Sequence, residues 1–366
     1  MNEEKITRPG EAEALQIPQG KIRDRYYRPS LERLRIILMF FMCINLFDFP
    51  ISIGGIVQAA CGFVPIAFFI LSGYLVLRED EDRSARIARA IKRTAITFVI
   101  MTVAYFLLNV VYYYLMDANI FDLVVMPRFW FNFLVLNVWQ FDIGSAIWYV
   151  QALLYAYVII YFLEKAKLLR FDWLIFLILI AFTVVTGELC GIIKWEIAGY
   201  IYVPGNFLTR ALPYTLLGCL MHRKMPSLIK RSRFLYVFGV VFGIFLVFAE
   251  ILVFGFFKVP GYYGHAVGMG VTAFSVCMLA FQNSSDGPGF EAVLGLTRRY
   301  TNWIYYLAQP VSLVIIVAFS LTGNVVMANV QNYMGIITFV VCFFIAWVMS
   351  FIGRRIRRAR RAKHRA

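Results

Sequence analysis

Charge is scarce in this chain. Asp, Glu, Lys and Arg together fill 16% of 366 positions, whereas soluble domains carry roughly a quarter of their residues charged. With 61% of the residues apolar, too little polar surface remains to cover a water-soluble globule. Cysteine is equally sparse. Cys43, Cys61, Cys190, Cys219, Cys277 and Cys342 form no C-x-x-C pair, so there is no disulfide framework and no zinc spacing; no metal is expected, and the six read as small packing residues. A cleavable signal peptide is also not expected, because no short apolar stretch ending in small residues precedes position 34. Neither an internal repeat nor a low-complexity run interrupts the chain, apart from a basic tail, and no second soluble domain is expected.

What the chain has in abundance is long apolar runs. Ten of them, at 34–53, 55–77, 94–116, 145–163, 173–193, 206–221, 234–257, 264–282, 301–323 and 333–353, approach or reach the length needed to cross about 30 Å of hydrocarbon. The expected fold is all-α, a polytopic transmembrane bundle of about ten spans in the cell membrane. The aromatic stretch 129–141, with Trp130 and Trp139, is broken by Asn132 and Asn137; it reads as an interfacial or re-entrant piece.

The basic residues orient the bundle. With both ends placed on the cytoplasmic side, 31 of the 36 Lys and Arg fall in cytoplasmic segments and only Arg128, Lys194 and Lys258 fall on the other side. Every short loop then obeys the positive-inside rule. The net charge of +15 accordingly reports topology, and nucleic acid is not an expected partner. The expected organisation is a cytoplasmic leader over 1–30, a membrane domain over 31–353 and a polybasic tail over 354–366. Beside the bilayer core itself, that tail can hold anionic headgroups at about 1 kcal/mol per basic residue.

Polar groups inside the spans are the places to seek function, since a mid-bilayer charge costs roughly 2.5–3.5 kcal/mol on insertion scales. These are Arg35, Asp48, Glu188, Arg210 and Glu250, with uncharged Asn45, Gln151 and Gln309. Arg35 stands near a span end, where it can snorkel. Arg210 and Glu250 allow two readings: an ion pair with each other, or, with Asp48, the lining of a water-filled cavity open to the outer side.

Five stretches carry a family resemblance. Phe68-Phe69-Ile70-Leu71-Ser72-Gly73-Tyr74-Leu75 resembles the FFxxSGxL signature of the transmembrane acyltransferase-3 family. Leu31-Glu32-Arg33-Leu34-Arg35 is similar to its LDGLR opening, and Ile147-Trp148-Tyr149 to its HLWxL helix start. Arg210-Ala211-Leu212-Pro213-Tyr214 through Leu217-Gly218 is similar to R-x-LPxxxLG, and Ile304-Tyr305-Tyr306-Leu307-Ala308-Gln309-Pro310 to YxYLxHP. The resemblance implies an integral membrane acyltransferase acting in the cell envelope. Such an enzyme moves an acyl group, commonly acetyl, from cytoplasmic acyl-CoA to a hydroxyl of an extracytoplasmic polysaccharide or lipid-linked sugar (O-acetylation). Acyl-CoA is then a co-substrate, with no bound cofactor. The family's R-x-x-R is matched at Arg86 and Arg89, with Arg93 one turn further on, and implies donor binding through the CoA phosphates. Ordinary positive-inside charge is the competing reading of each.

The family's histidines are missing. Asn45 or Leu46, Ala146 and Gln309 stand at their places, and the three histidines present are His222, His265 and His364. Neither Asn nor Gln accepts a proton usefully. Asp48, within a helical turn of the first lost histidine, is the expected proton acceptor, with His265 second. Two other readings stand beside the enzyme: a non-catalytic relative that binds a lipid-linked sugar or a partner protein, and a transporter or flippase using the same bundle. Arg35, Asn45, Ser72, Gly73, Trp148, Arg210, Glu250 and Gln309 are expected as structural residues or around the substrate cavity.

Overall fold

A computed structural model describes residues 29–47, 53–77, 82–115, 117–144, 146–186, 207–257, 266–282, 301–320 and 330–363. Among the described residues every regular element is helical: α1 (Pro29–Leu46), α2 (Gly54–Cys61), α3 (Phe63–Val76), α4 (Arg83–Leu115), α5 (Phe121–Val124), α6 (Pro127–Leu134), α7 (Ile147–Lys165), α8 (Asp172–Thr186), α9 (Leu212–Leu228), α10 (Arg233–Phe256), α11 (Ala266–Gln282), α12 (Thr301–Ser320) and α13 (Met334–Lys363). This is the all-α class the composition requires, since lipid leaves every backbone group to be satisfied within its own helix.

Each of the ten predicted runs contains a helix, and seven helices among the described residues are long and apolar enough to cross a membrane. The run 55–77 is divided at Gly62 into α2 and α3. Of the remaining helices at predicted runs, α1 carries Glu32, Arg33 and Arg35 in its first turns. Helix α9 carries His222, Arg223 and Lys224, and α11 has 17 residues. The aromatic stretch forms no spanning helix: α6 has eight residues, too few to cross. It buries Phe129 and Phe133 and exposes Trp130, Phe131 and Leu134.

Helix α4 shows the inside-out pattern of a membrane protein. Its buried stripe is Thr94, Met101, Tyr105 and Asn109, while Ile96, Ile100, Val103, Leu107 and Val111 are exposed. Both sets recur at helical spacing, and the outward set is the more apolar because its solvent is lipid. Helix α3 forms the centre, with Val64, Ala67, Phe69 and Ile70 all fully buried. Lipid tails give apolar side chains no reason to leave them, so helix association rests on close backbone approach at small residues. A Cβ on Gly73 would overlap the Thr215 carbonyl of α9, and one on Gly218 would overlap the Ile70 carbonyl of α3. The glycines of two separate motifs thus serve one α3–α9 crossing. Gly243 against Thr272 and Gly268 against Val247 repeat the device between α10 and α11. Helix α13 continues past Gly353 through the basic run to Lys363, with the Arg355 guanidinium 4.9 Å from the Phe351 ring centroid.

Candidate functional site

One end of the bundle is basic because two chain segments, α1 and α4, bring arginine there. In the first turns of α1, Leu31, Leu34 and Leu38 are buried, which fixes the helix and leaves Arg35 half-buried on another face. Its Nη1 donates to Glu32 Oε1 at 3.1 Å, one turn back. On α4, Arg86, Arg89 and Arg93 are spaced three and four residues apart and so share a face. Arg86 Nη2 donates to the Leu75 carbonyl at 2.9 Å, tying the start of α4 to the end of α3. Ser72 stands one turn back along α3, beside the glycine that lets α9 approach.

These residues line one cavity of about 820 Å³, walled by α1, α3, α4, α7 and α12. That volume lies in the range of pockets that hold small-molecule ligands, roughly 300–1,000 Å³. Arg35, Arg86, Arg89 and Arg93 all line it, as do Met39, Met42, Phe68 and Met101. From Arg86 to Met101 the cavity follows about 22 Å of helix rise, so it runs from the basic end well into the depth of the bundle. Thr94 and Thr97 lie between the arginines and the apolar part.

Hydroxyls gather on the opposite wall. Ser72 Oγ and Tyr149 Oη share a hydrogen bond of 3.4 Å, and Tyr157 Oη donates to the Ser72 carbonyl at 3.4 Å. The Tyr149 ring stacks on Phe69 with centroids 4.6 Å apart and meets Tyr305 edge-on at 5.8 Å. Arg35 and Arg93 are both within electrostatic reach of the Tyr157 hydroxyl. The cavity therefore offers anion-binding guanidiniums at one end and hydrogen-bonding hydroxyls further in. Among the described residues its lining contains no His, Asp or Glu.

The irregular stretch leading into α7 is held from two sides. Asn109, fully buried on α4, donates to the Tyr105 and Ile143 carbonyls at 2.8 and 2.5 Å and accepts from the Ile143 amide at 3.1 Å. From α12, Gln309 Oε1 accepts from the Gly144 amide at 2.9 Å, and Tyr305 Oη donates to the Ala146 carbonyl at 3.0 Å. Gly144 has φ +119°, and a Cβ there would collide with Trp139 and Tyr105, so this position requires glycine. Two of the three positions where the family resemblance implies histidine, Ala146 and Gln309, thus meet at one joint.

Of the residues expected around the cavity, Arg35 and Ser72 line it together with the three arginines of α4. Gly73 faces α9 instead. Trp148 packs edge-on to Phe69 at 6.0 Å and its carbonyl accepts from Asn137 Nδ2 at 3.1 Å, while its neighbour Tyr149 takes the lining position. Asn45 lies in the last turn of α1 and Gln309 at the joint. Arg210 belongs to a π-helical turn, Phe207–Ala211, ahead of α9. Glu250, on α10, accepts from the Gly268 amide at 3.3 Å. Neither Arg210 nor Glu250 lies on a helix that walls this cavity. Asp48 and His265 lie outside the described residues. No cluster of three or more His, Cys, Asp or Glu that could hold a metal occurs among the described residues. Sequence reasoning passed over the tyrosines, although Tyr149, Tyr305 and Tyr306 sit inside the motif strings. The spacing of Tyr149 and Tyr157, eight residues and two turns along one face of α7, was the available signal.

A family model described as an acyltransferase domain matches residues 28–355. No curated protein matches the chain, and no solved structure does.

Proposed function

Because this chain belongs to the acyltransferase-3 family of integral membrane proteins, we propose that it transfers an acyl group from cytoplasmic acyl-CoA, acetyl-CoA in the family's common form, to a hydroxyl of an extracytoplasmic glycan or lipid-linked sugar. The observation that carries this reading is the convergence of Arg35, Arg86, Arg89 and Arg93 on one cavity. Guanidinium forks bind phosphate oxygens bidentately, in charge-assisted bonds roughly twice as strong as neutral ones. The positive-inside pattern supports placing that end in the cytoplasm, where the donor is. The phosphates rest on the arginines and the donor's long arm follows Thr94 and Thr97 inward. The thioester carbonyl then comes to the Ser72 and Tyr149 hydroxyls, which donate to its oxygen as charge develops there.

In the transfer, the acceptor hydroxyl attacks the thioester carbonyl, its C–O bond forms, and the C–S bond breaks. The acceptor's proton goes to a base and then to the departing thiolate. Asp48, two residues beyond the end of α1, is the proposed base, and His265 is the second choice. Loss of all three family histidines favours a second reading, a non-catalytic relative that binds the same ligands. The discriminating experiment supplies acyl-labelled acetyl-CoA to the purified chain with isolated envelope glycan. Label appearing on glycan hydroxyls with equimolar free CoA supports transfer; donor binding without thioester consumption leaves the binding reading.

A further inference from the structure

Two residues of the cavity wall are also exposed on their helices. Ile100 lines the cavity and is 59% exposed, standing in the same outward row as Ile96, Val103, Leu107 and Val111. Across the gap on α12, Trp303 lines the cavity as well and is 40% exposed. It shares a helix face with Val314 and Val317, both exposed, at spacings of 11 and 14 residues. A wall residue that also belongs to its helix's lipid-facing row marks a place where the wall is open. Further in, Tyr105 Oη of α4 donates to the Tyr306 carbonyl of α12 at 2.9 Å, closing the gap above the level of Ile100.

We infer that the space between α4 and α12 is a lateral cleft through which the donor's acyl chain extends into lipid, so that the site takes acyl-CoA with chains longer than acetyl. The inference rests on the acyl-CoA reading above. A CoA held by its phosphates on Arg86, Arg89 and Arg93 presents its thioester at the far end of its arm, at the depth where the arginines give out and Thr97, Ile100 and Tyr306 remain. A closed pocket there would limit the length of the acyl group. Here the chain runs between Ile100 and Trp303 onto a surface already solvated by hydrocarbon, and each methylene that enters lipid adds to the affinity.

The test is competition for acetyl-labelled acetyl-CoA on the purified chain in lipid nanodiscs, using free CoA, acetyl-CoA and octanoyl-CoA. Octanoyl-CoA is expected to compete at least tenfold more effectively than acetyl-CoA, and Ile100→Trp, which narrows the cleft, is expected to shrink that ratio. If CoA itself does not compete, the acyl-CoA reading fails. If CoA competes and the octanoyl advantage is absent, or persists undiminished in Ile100→Trp, the cleft inference alone is overturned. A measurement on the unaltered chain guards against a variant that does not fold. Octanoyl-CoA bearing a photoreactive terminal diazirine should label peptides of α4 and α12 around Ile100 and Trp303, and label confined to Met39, Met42 and Phe68 would contradict the cleft.

Discussion

Arg86 and Arg89 stand one turn apart on α4 and both line the cavity; the phosphates of the donor are assigned to them. Replacing either with alanine should weaken acyl-CoA binding by about 1.5–3 kcal/mol, the worth of a hydrogen bond to a charged group, or roughly tenfold to more than a hundredfold. Lysine in their place should restore only part of this, because it keeps the charge and loses the planar fork; binding measured across a salt series checks both. Ser72 makes a different contribution. Ser72→Ala should lower kcat with little change in the KM for acyl-CoA, by roughly tenfold or more if its hydroxyl meets the carbonyl oxygen only as charge develops there. An equal rise in KM would return Ser72 to packing. Asp48→Asn should abolish transfer while the protein still accumulates in the membrane; unaltered transfer would leave Asp48 a polar filler. The arginines were legible in the sequence because charge is rare in this chain and their spacing is helical. The tyrosines were not, because 21 tyrosines among 366 residues give no reason to prefer Tyr149 until α3 and α7 are packed together.

At the level of elements, the SG and LG pairs of two distant motifs turn out to share one physical purpose. Gly73 and Gly218 let α3 and α9 approach more closely than side chains allow, and Ser72 owes its place in the cavity wall to that crossing. Gly218→Val should therefore displace α3 and cost stability by about 1–3 kcal/mol, as overpacking does, seen as earlier thermal unfolding in detergent. An unchanged melting temperature would mean that the crossing is looser than described. Sequence strings could show that these glycines recur beside apolar runs, but not which helix each one faces, since contact between α3 and α9 joins positions more than 140 residues apart. The same limit applies to Gln309. Standing where the family resemblance implies histidine, it was expected around the substrate cavity, and the fold uses its side-chain oxygen to hold the Gly144 amide.

For the whole molecule, hydropathy anticipated a helix at every one of the ten runs, because lipid demands long apolar helices and permits little else. Convergence of α1, α3, α4, α7 and α12 on one cavity could not be read the same way, as it depends on which faces pack inward. The orientation inferred from the basic loops has its own test. Single cysteines placed at Lys167 and Arg231, in a chain otherwise free of cysteine, should react with a membrane-impermeant maleimide only after cells are opened. One at Arg128 should react in intact cells, and the reverse pattern would put the arginine end on the wrong side for a cytoplasmic donor. The central claim is that the four-arginine cavity holds acyl-CoA. It is tested most directly by equilibrium binding of labelled acetyl-CoA to the purified chain and to the Arg86→Ala, Arg89→Ala double variant at two salt concentrations. Saturable, salt-weakened binding that the double variant loses is the predicted result; equal binding by both proteins would contradict the account.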